Sequence, residues 1–416
     1  MYMSSTVRNG LSLLVMQGVN YLIPLMTLPY LTRVLGAYQY GVVNTVLSFG
    51  AYAILVIDFG FNLTATKDVS IANSRGDIEK IFSRVLISKT ILFFISFLLV
   101  FLFVNLISNY DGIEYLIYFL IPQLLGSVFF PVWLFQGIGK VHFISIITSI
   151  TKALTVPLMF LFVNGPDDMA VCLFIMGGPL FVSGIIGVYL SYRVGIKFNL
   201  GFVSFSSIKN TLHSSFPVFI GNVAIGLYTA CTPIILSLVS NYNEVGYYTA
   251  ADKLRAAILG VFLVLGQVIY PRANYLRYHN VNEFGRFIRR LFLCQLFFGT
   301  IAALLFYVFM PRLAPFILGS GFDMLDDIVK LMAPMILLIP LSVIMCNCII
   351  LPNGNTKAFA FLPIVTAFLH IPYAIYLSHY YGAVGGTISI LITEVISFLI
   401  IMSYCIKKNY FKLIFK

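Results

Sequence analysis

Charged side chains set inside long apolar runs are the residues of this chain with the most chemistry to offer. Lys152 stands roughly midway along one such run, and Glu394 midway along the last. Lys253 and Arg255, with Asp252 beside them, lie about two turns into another run. Arg33 closes the first run, and Asp58 lies near the end of the second. A charge in hydrocarbon is costly, so by default it marks a path for an ion or a charged substrate. Two plainer readings compete. Asp58 can snorkel toward the headgroups, and Asp252 with Arg255 can be a local i,i+3 pair. Lys152 and Glu394 read as functional, directly or as a gating pair. Asp58 and Glu394 are the candidates for coupling to protons or ions, or for gating.

Uncharged polar residues recur at helical spacing in the same runs. Asn44, Ser48, Ala51, Leu55 and Asn62 share one face of a second helix if that helix is continuous. About 205 residues on, Thr249, Lys253, Ala256, Gly260 and Gln267 repeat the pattern. The first helix offers Gln17, Asn20, Pro24 and Thr27. Its counterpart offers Asn222, Ile225, Thr229 and Thr232, followed by Pro233. Polar groups in hydrocarbon must face protein or water. A shared wet cavity between two halves is therefore expected, lined by Arg33, Asn44, Ser48, Asn62, Lys152, Asn222, Lys253, Arg255 and Gln267. Ordinary helix–helix hydrogen bonding is the simpler alternative.

Other chemistries have no motif here. The cysteines (Cys172, Cys231, Cys294, Cys346, Cys348, Cys405) lie in apolar runs with no CxxC pair. They read as small buried hydrophobes, not as metal or disulfide sites. His142, His213, His279, His370 and His379 show no metal-binding spacing, and no GxxxxGK[ST] is present. No cofactor and no metal are expected.

The elements that must carry these residues are transmembrane helices. The chain has 416 residues, 60% hydrophobic and only 10% charged, with mean hydropathy +0.97. Soluble domains carry about 25% charged residues, so part of this chain's solvent must be lipid. A crossing takes about 20 apolar residues. Spans are expected to begin near Leu11, Tyr40, Ile81, Tyr115, Val141 and Met169, then near Ser214, Gly246, Leu291, Ile328, Ala358 and Val384. The first is read as a helix that stays, not a removed signal peptide. With the N-terminus in the cytosol, 20 of the 26 basic residues fall on the cytosolic side, in the cluster Lys67–Lys89 among others. The opposite loops carry acids instead, such as Asp111, Asp167, Asp168 and Glu244. Lys and Arg favour the cytosolic side, so both termini are expected there. The net charge of +11 is then largely topological, and no nucleic-acid partner is expected.

Several features repeat at near half the chain. Gly41 and Gly246 are 205 residues apart, each after a Tyr- or Asn-containing turn, and Gly139 and Gly354 are followed by Pro157 and Pro372 at equal spacing. The expected fold is an all-α integral membrane protein of about 12 transmembrane helices. Two six-helix lobes, 1–209 and 210–416, would be related by a pseudo-two-fold parallel repeat.

Five stretches then resemble a known family. They are Pro29–Gly36, Gly60–Thr66, Pro131–Gly137 with the single Trp133, Ile269–Arg272, and Leu391–Glu394. Together and in order they resemble the Wzx-type O-antigen flippases, in the polysaccharide-transporter branch of the multidrug/oligosaccharidyl-lipid/polysaccharide exporter superfamily. The resemblance spans essentially the whole chain. It implies a MATE-like fold with a V-shaped central cavity. It also implies an oligosaccharide on undecaprenyl diphosphate as substrate, moved from the cytosolic to the periplasmic leaflet of the inner membrane. The partners it implies are the bilayer, the O-antigen polymerase and the chain-length regulator. It supplies no established set of catalytic residues.

Such a substrate needs cations for its diphosphate, and Asn, Ser, Thr and Tyr for its hydroxyls. A drug antiporter of the same superfamily would want an apolar or acidic cavity, against Lys152, Lys253 and Arg255. A lipid II flippase usually carries extra C-terminal helices. A membrane O-antigen polymerase or ligase usually has a large catalytic outer loop, and the outer loops here are short. A transporter rather than an enzyme is expected.

Overall fold

The computed structural model describes residues 5–411, apart from the side chains of residues 5–14, 229, 264, 267, 268, 271, 323, 356–360, 362 and 363. Among the described residues the chain is all α, with short 3-10 and π segments and no strand. Lipid offers no partner for backbone N–H and C=O, so each crossing segment must close its own hydrogen bonds as a helix. Among the described residues, eight helices are long and apolar enough to cross a membrane, or nine if the bent pair Phe205–Tyr228 and Thr232–Val239 is one span. This is a multi-pass membrane protein. Its large exposed side chains, among them Phe94, Leu98, Leu161, Leu304 and Phe368, are those a lipid-facing surface requires.

The helix ends are written locally. Ser74 Oγ accepts from Asp77 N–H at 3.1 Å at the start of Arg75–Leu106. Asn241 Oδ1 accepts from Glu244 N–H at 3.1 Å to open Tyr242–His279, and Asn280 Oδ1 accepts from Glu283 N–H at 3.0 Å to open Val281–Leu318. Each cap satisfies a donor that the first helical turn leaves unpaired. Two helices are too long for one crossing. Ser5–Asp58 breaks at Gly36 (φ 75°), and Thr356–Lys407 breaks at Gly382 (φ 52°). Both angles lie where glycine alone pays no Cβ cost. The expectation of about twelve crossings requires the chain to turn back at both glycines and Tyr242–His279 to cross as well.

The chain forms two compact units: residues 1–27 with 42–223, and residues 28–41 with 224–416. In the first, Ile121–Phe129 lies along Met169–Arg193. A Cβ at Gly126 would come within 2.5 Å of the Leu180 carbonyl carbon and the Phe181 nitrogen. Close backbone approach through small residues is how membrane helices gain packing without a hydrophobic driving force. Gly126→Val is therefore expected to cut folded protein in the membrane at least severalfold, because overpacking costs about 1–3 kcal/mol or more. Size-exclusion chromatography of the solubilised protein checks this. Two motifs of the sequence, Gly60–Thr66 and Pro131–Gly137, meet in the core of this unit. Phe61, Ala65, Phe82, Trp133 and Leu134 pack together there, and Thr66 Oγ1 donates to the Trp133 carbonyl at 3.1 Å.

In the second unit, Phe284, Ile288, Met345, Cys348 and Cys405 form one buried cluster. At its other end two helices touch backbone to backbone. A Cβ at Gly41 would collide with the Tyr242 carbonyl oxygen, and one at Gly246 with that of Ala37. Tyr38 and Tyr242 meet edge to face beside this crossing, ring centroids 5.4 Å apart. No disulfide forms among the described residues. Cys294 is exposed, contrary to its reading as a buried residue, because it lines an apolar cavity of about 610 Å³ with residues of Tyr242–His279 and Asp326–Ile344.

Candidate functional site

The first unit holds two polar sites. Lys152, at the end of the short helix Val141–Ala153, donates to Asn20 Oδ1 at 2.6 Å. The two border a cavity of about 220 Å³, with Gln123, Thr27 and Thr155 also in its wall. Gln123 Oε1 is buried and has no hydrogen-bond partner among the described residues. An ammonium group, two amides and two hydroxyls around one space can hold an anionic or hydroxyl-rich group. Asn20 was visible in the sequence only as part of a stripe, and Gln123 was missed because nothing in its neighbourhood repeats.

The second site gives Asp58 a partner and corrects the placement of Lys89. Asp58 does not snorkel. Its carboxylate pairs with Lys89 Nζ at 2.8 Å, accepts from Ser127 Oγ at 3.2 Å, and receives Asn62 Nδ2 at 3.4 Å. Lys89 was counted among cytosolic loop cations, yet its side chain is 2% exposed. It stands 14 residues past the start of Arg75–Leu106 and also donates to the Ser127 carbonyl at 2.7 Å. A charge that deep persists only when paired and hydrogen-bonded. The stripe that linked Asn44 to Asn62 is also broken. The helix stops at Asp58, Phe59 and Gly60 take left-handed angles (φ 42° and 81°), and Phe61–Ser70 begins a new helix. Phe59 stacks on Phe219 with centroids 4.3 Å apart. Asn44 is buried and Ser48 Oγ donates to its carbonyl at 2.8 Å, whereas Asn222 is exposed.

The second unit holds Arg33, Lys253, Arg255 and Glu394; the side chain of Gln267 lies outside the described residues. Arg33 Nη2 donates to the Phe316 carbonyl at 2.6 Å, in the last turn of Val281–Leu318, where unpaired carbonyls favour a cation. Lys253 Nζ lies 5.0 Å from the centre of the Tyr40 ring, a cation–π distance. Arg255 forms the i,i+3 pair with Asp252 and reaches Met335 Sδ at 3.1 Å. That pairing neutralises Arg255 locally. Glu394 is buried, within electrostatic reach of Arg255.

Next to Glu394 is a cluster of which only Thr393 lies in a stretch that the sequence singled out. Thr393 Oγ1 donates to the Ser389 carbonyl at 2.8 Å. It lies 2.7 Å from His370 Nδ1 and 2.6 Å from the Tyr373 hydroxyl. No group of three or more His, Cys, Asp or Glu side chains fit to hold a metal occurs among the described residues.

Cations within apolar helices and a helical membrane fold leave the family to be set by comparison. The fold is similar to a lipid II flippase, MurJ, in an inward closed conformation, with TM-score 0.73 at 15% identity, covering 99% of this chain and 90% of that one. It is also similar to an inward-facing MATE family multidrug resistance transporter of the MOP superfamily, with TM-score 0.65 at 14% identity, covering 94% of this chain and 95% of that one. Two curated relatives carry the name "Putative O-antigen transporter". One, from Escherichia coli (strain K12), is 30% identical over 390 residues, 93% of each chain. The other, from Shigella dysenteriae, is 32% identical over 396 residues, 94% of this chain and 97% of its own. Residues 6–277 match the family model described as polysaccharide biosynthesis protein. With most of its length matched and its fold that of flippases and exporters, this chain belongs to the polysaccharide biosynthesis protein family.

Proposed function

We propose that this protein is a flippase for a lipid-linked oligosaccharide, the O-antigen repeat unit on undecaprenyl diphosphate. It moves its substrate from the cytosolic to the periplasmic leaflet of the inner membrane by alternating access, with both termini cytosolic. It is a transporter, not an enzyme, and would hand its substrate to the O-antigen polymerase. The observation that carries the reading is Lys152, hydrogen-bonded to Asn20 in the wall of a cavity among the apolar helices, in a chain whose relatives are named as O-antigen transporters. A diphosphate crossing about 30 Å of hydrocarbon needs such a cation at depth. Lys152 supplies the ammonium, and Asn20 orients it. Sugar hydroxyls can bond to Thr27, Thr155 and Gln123. Asp58 serves to hold Lys89. A drug antiporter shares the fold, but a cation-binding cavity would be poorly served by Lys152.

The test is complementation of a strain that lacks its own O-antigen transporter. Wild type is expected to restore O-antigen display. Lys152→Ala is expected to lower it at least tenfold at equal protein level, since a hydrogen bond to a charged group is worth about 1.5–3 kcal/mol, and Lys152→Arg is expected to keep part of it. Full display from Lys152→Ala, at the wild-type protein level, contradicts the assignment.

A further inference from the structure

We propose that the apolar cavity lined by Cys294 is a binding site for an anionic glycerophospholipid of the bilayer. Its phosphate lies at Arg290, an ester carbonyl at Gln295, and an acyl chain along the apolar wall. The site uses neither Lys152 nor the cavity beside it, and it stands whatever the protein carries.

Three helices of the second unit make the walls. Val261, Leu265 and Ile269 are one stripe of Tyr242–His279, Phe298, Ile301 and Leu305 one stripe of Val281–Leu318, and Asp326–Ile344 closes the third side. The volume of about 610 Å³ falls within the range of small-molecule sites, about 300–1,000 Å³. Val261, Leu265, Phe298 and Leu305 are exposed. Water gains almost no hydrogen bonds in such a space, whereas an apolar chain fills it.

One polar group in the wall calls for more than hydrocarbon. Gln295 is the one amide side chain that lines the cavity, and it is 9% exposed. Its Nε2 is buried with no hydrogen-bond partner among the described residues. A Cβ at Gly299 would lie 3.0 Å from this nitrogen and 3.0 Å from Leu337 Cδ1, so the donor rests against a glycine and a leucine. A buried N–H left unmade is costly. Half a turn about the last side-chain bond exchanges the amide's nitrogen and oxygen, and an acceptor in the cavity then receives the N–H. A bare polyprenyl tail has no acceptor to offer. A glycerophospholipid has ester carbonyls, a short way below its phosphate.

The order of groups along Val281–Leu318 matches such a lipid. Residues 291–311 carry no charge and lie between Arg290 and Arg312, the length of one crossing, about 20 residues. Arg290 therefore stands at headgroup level, with its side chain leaning toward the helix start and water. Gln295 follows five residues later, about 7.5 Å along the axis. Leu305 is ten residues further, about 15 Å, which is the depth of one leaflet in a hydrocarbon core of about 30 Å. Arg290 is exposed and makes no ion pair among the described residues, and Arg286 one turn earlier is the same. The acid at this end, Glu283, is held by Arg272 at 3.1 Å. Net positive charge at the mouth selects an anionic headgroup over a zwitterionic one.

The full chain in lipid-free detergent micelles provides the test. The probe is N-ethylmaleimide, and its rate at Cys294 is read by mass spectrometry of the peptide that contains it. Dioleoyl phosphatidylglycerol is expected to slow this rate about tenfold once nine sites in ten are filled. Dioleoyl phosphatidylcholine, with the same chains and no net charge, should need about five times as much lipid for the same effect, the worth of one basic side chain near a headgroup. Arg290→Gln, a change at an exposed position, should erase that difference. Ether-linked phosphatidylglycerol has no ester carbonyl. In wild type it should need about five times as much as the ester lipid, the worth of one hydrogen bond, and in Gln295→Leu no more than the ester lipid. If Gln295→Leu does not fold, the ether lipid on wild type asks the same question. Equal potency of the two headgroups, an undiminished preference in Arg290→Gln, or equal potency of ester and ether lipids in wild type overturns the proposal. So does a Cys294 that reacts at one rate with and without lipid, or not at all without it. Undecaprenyl phosphate that protects Cys294 at lower levels than phosphatidylglycerol gives the cavity to a polyprenyl tail, and overturns it as well.

Discussion

Asp58→Leu is expected to remove about 3–5 kcal/mol of stability, the usual effect of taking one partner from a buried ion pair. Lys89 keeps its bond to the Ser127 carbonyl but loses the carboxylate at 2.8 Å, and at 2% exposure water cannot replace it. Asp58→Asn should cost less, since an amide oxygen can still accept from Ser127 and Lys89. The double change Asp58→Leu/Lys89→Met is expected to recover most of the loss, because no charge is then stranded and apolar side chains of similar volume replace the pair. Equilibrium denaturation in mixed micelles reads all three. A loss under about 0.5 kcal/mol in Asp58→Leu, the range of ordinary surface changes, would show that Lys89 finds water or another partner.

The second large effect is expected where Gly41 and Gly246 bring two backbones together. A Cβ at either position overlaps a carbonyl oxygen, and neither obstacle is a flexible side chain that can swing away. Gly41→Val and Gly246→Val should each cost at least about 2 kcal/mol, within the range for overpacked sites. The double variant should cost clearly less than the sum of the two, because one change already pries the helices apart and the second finds the gap open. Additive losses would mean that the two glycines answer to different contacts.

Much of this was legible in the sequence. Composition and run length fix an all-α membrane fold because lipid admits little else. The caps at Asn241 and Asn280 are local and readable. Lys152 stood out by depth alone, and Asn20 by stripe spacing. Other features depend on residues far apart in sequence. Lys89 looked like a loop cation because counting charges by loop ignores how far a helix extends below its first turn. Its partner Asp58 is 31 residues away. His370 matched no motif because its partner Thr393 is 23 residues on, beyond a break in the helix at Gly382 that shows only in the backbone angles. The Asn44–Asn62 stripe failed because Phe59 adopts a left-handed conformation that its residue type gives no reason to expect. Gly60 was the one available hint.

The crossing at Gly41 and Gly246 has a further consequence. Gly41 meets Tyr242, and Gly246 meets Ala37; both pairs are related by the same step of 205 along the chain. Residue i touches residue j plus the step, and j touches i plus the step. This is the form of an isologous contact, the kind that two identical subunits make about a two-fold axis. Two separate copies of a half-length ancestor could have made it with each other before fusion. A single glycine in such an ancestor would have served both sides at once, whereas the present chain must keep two.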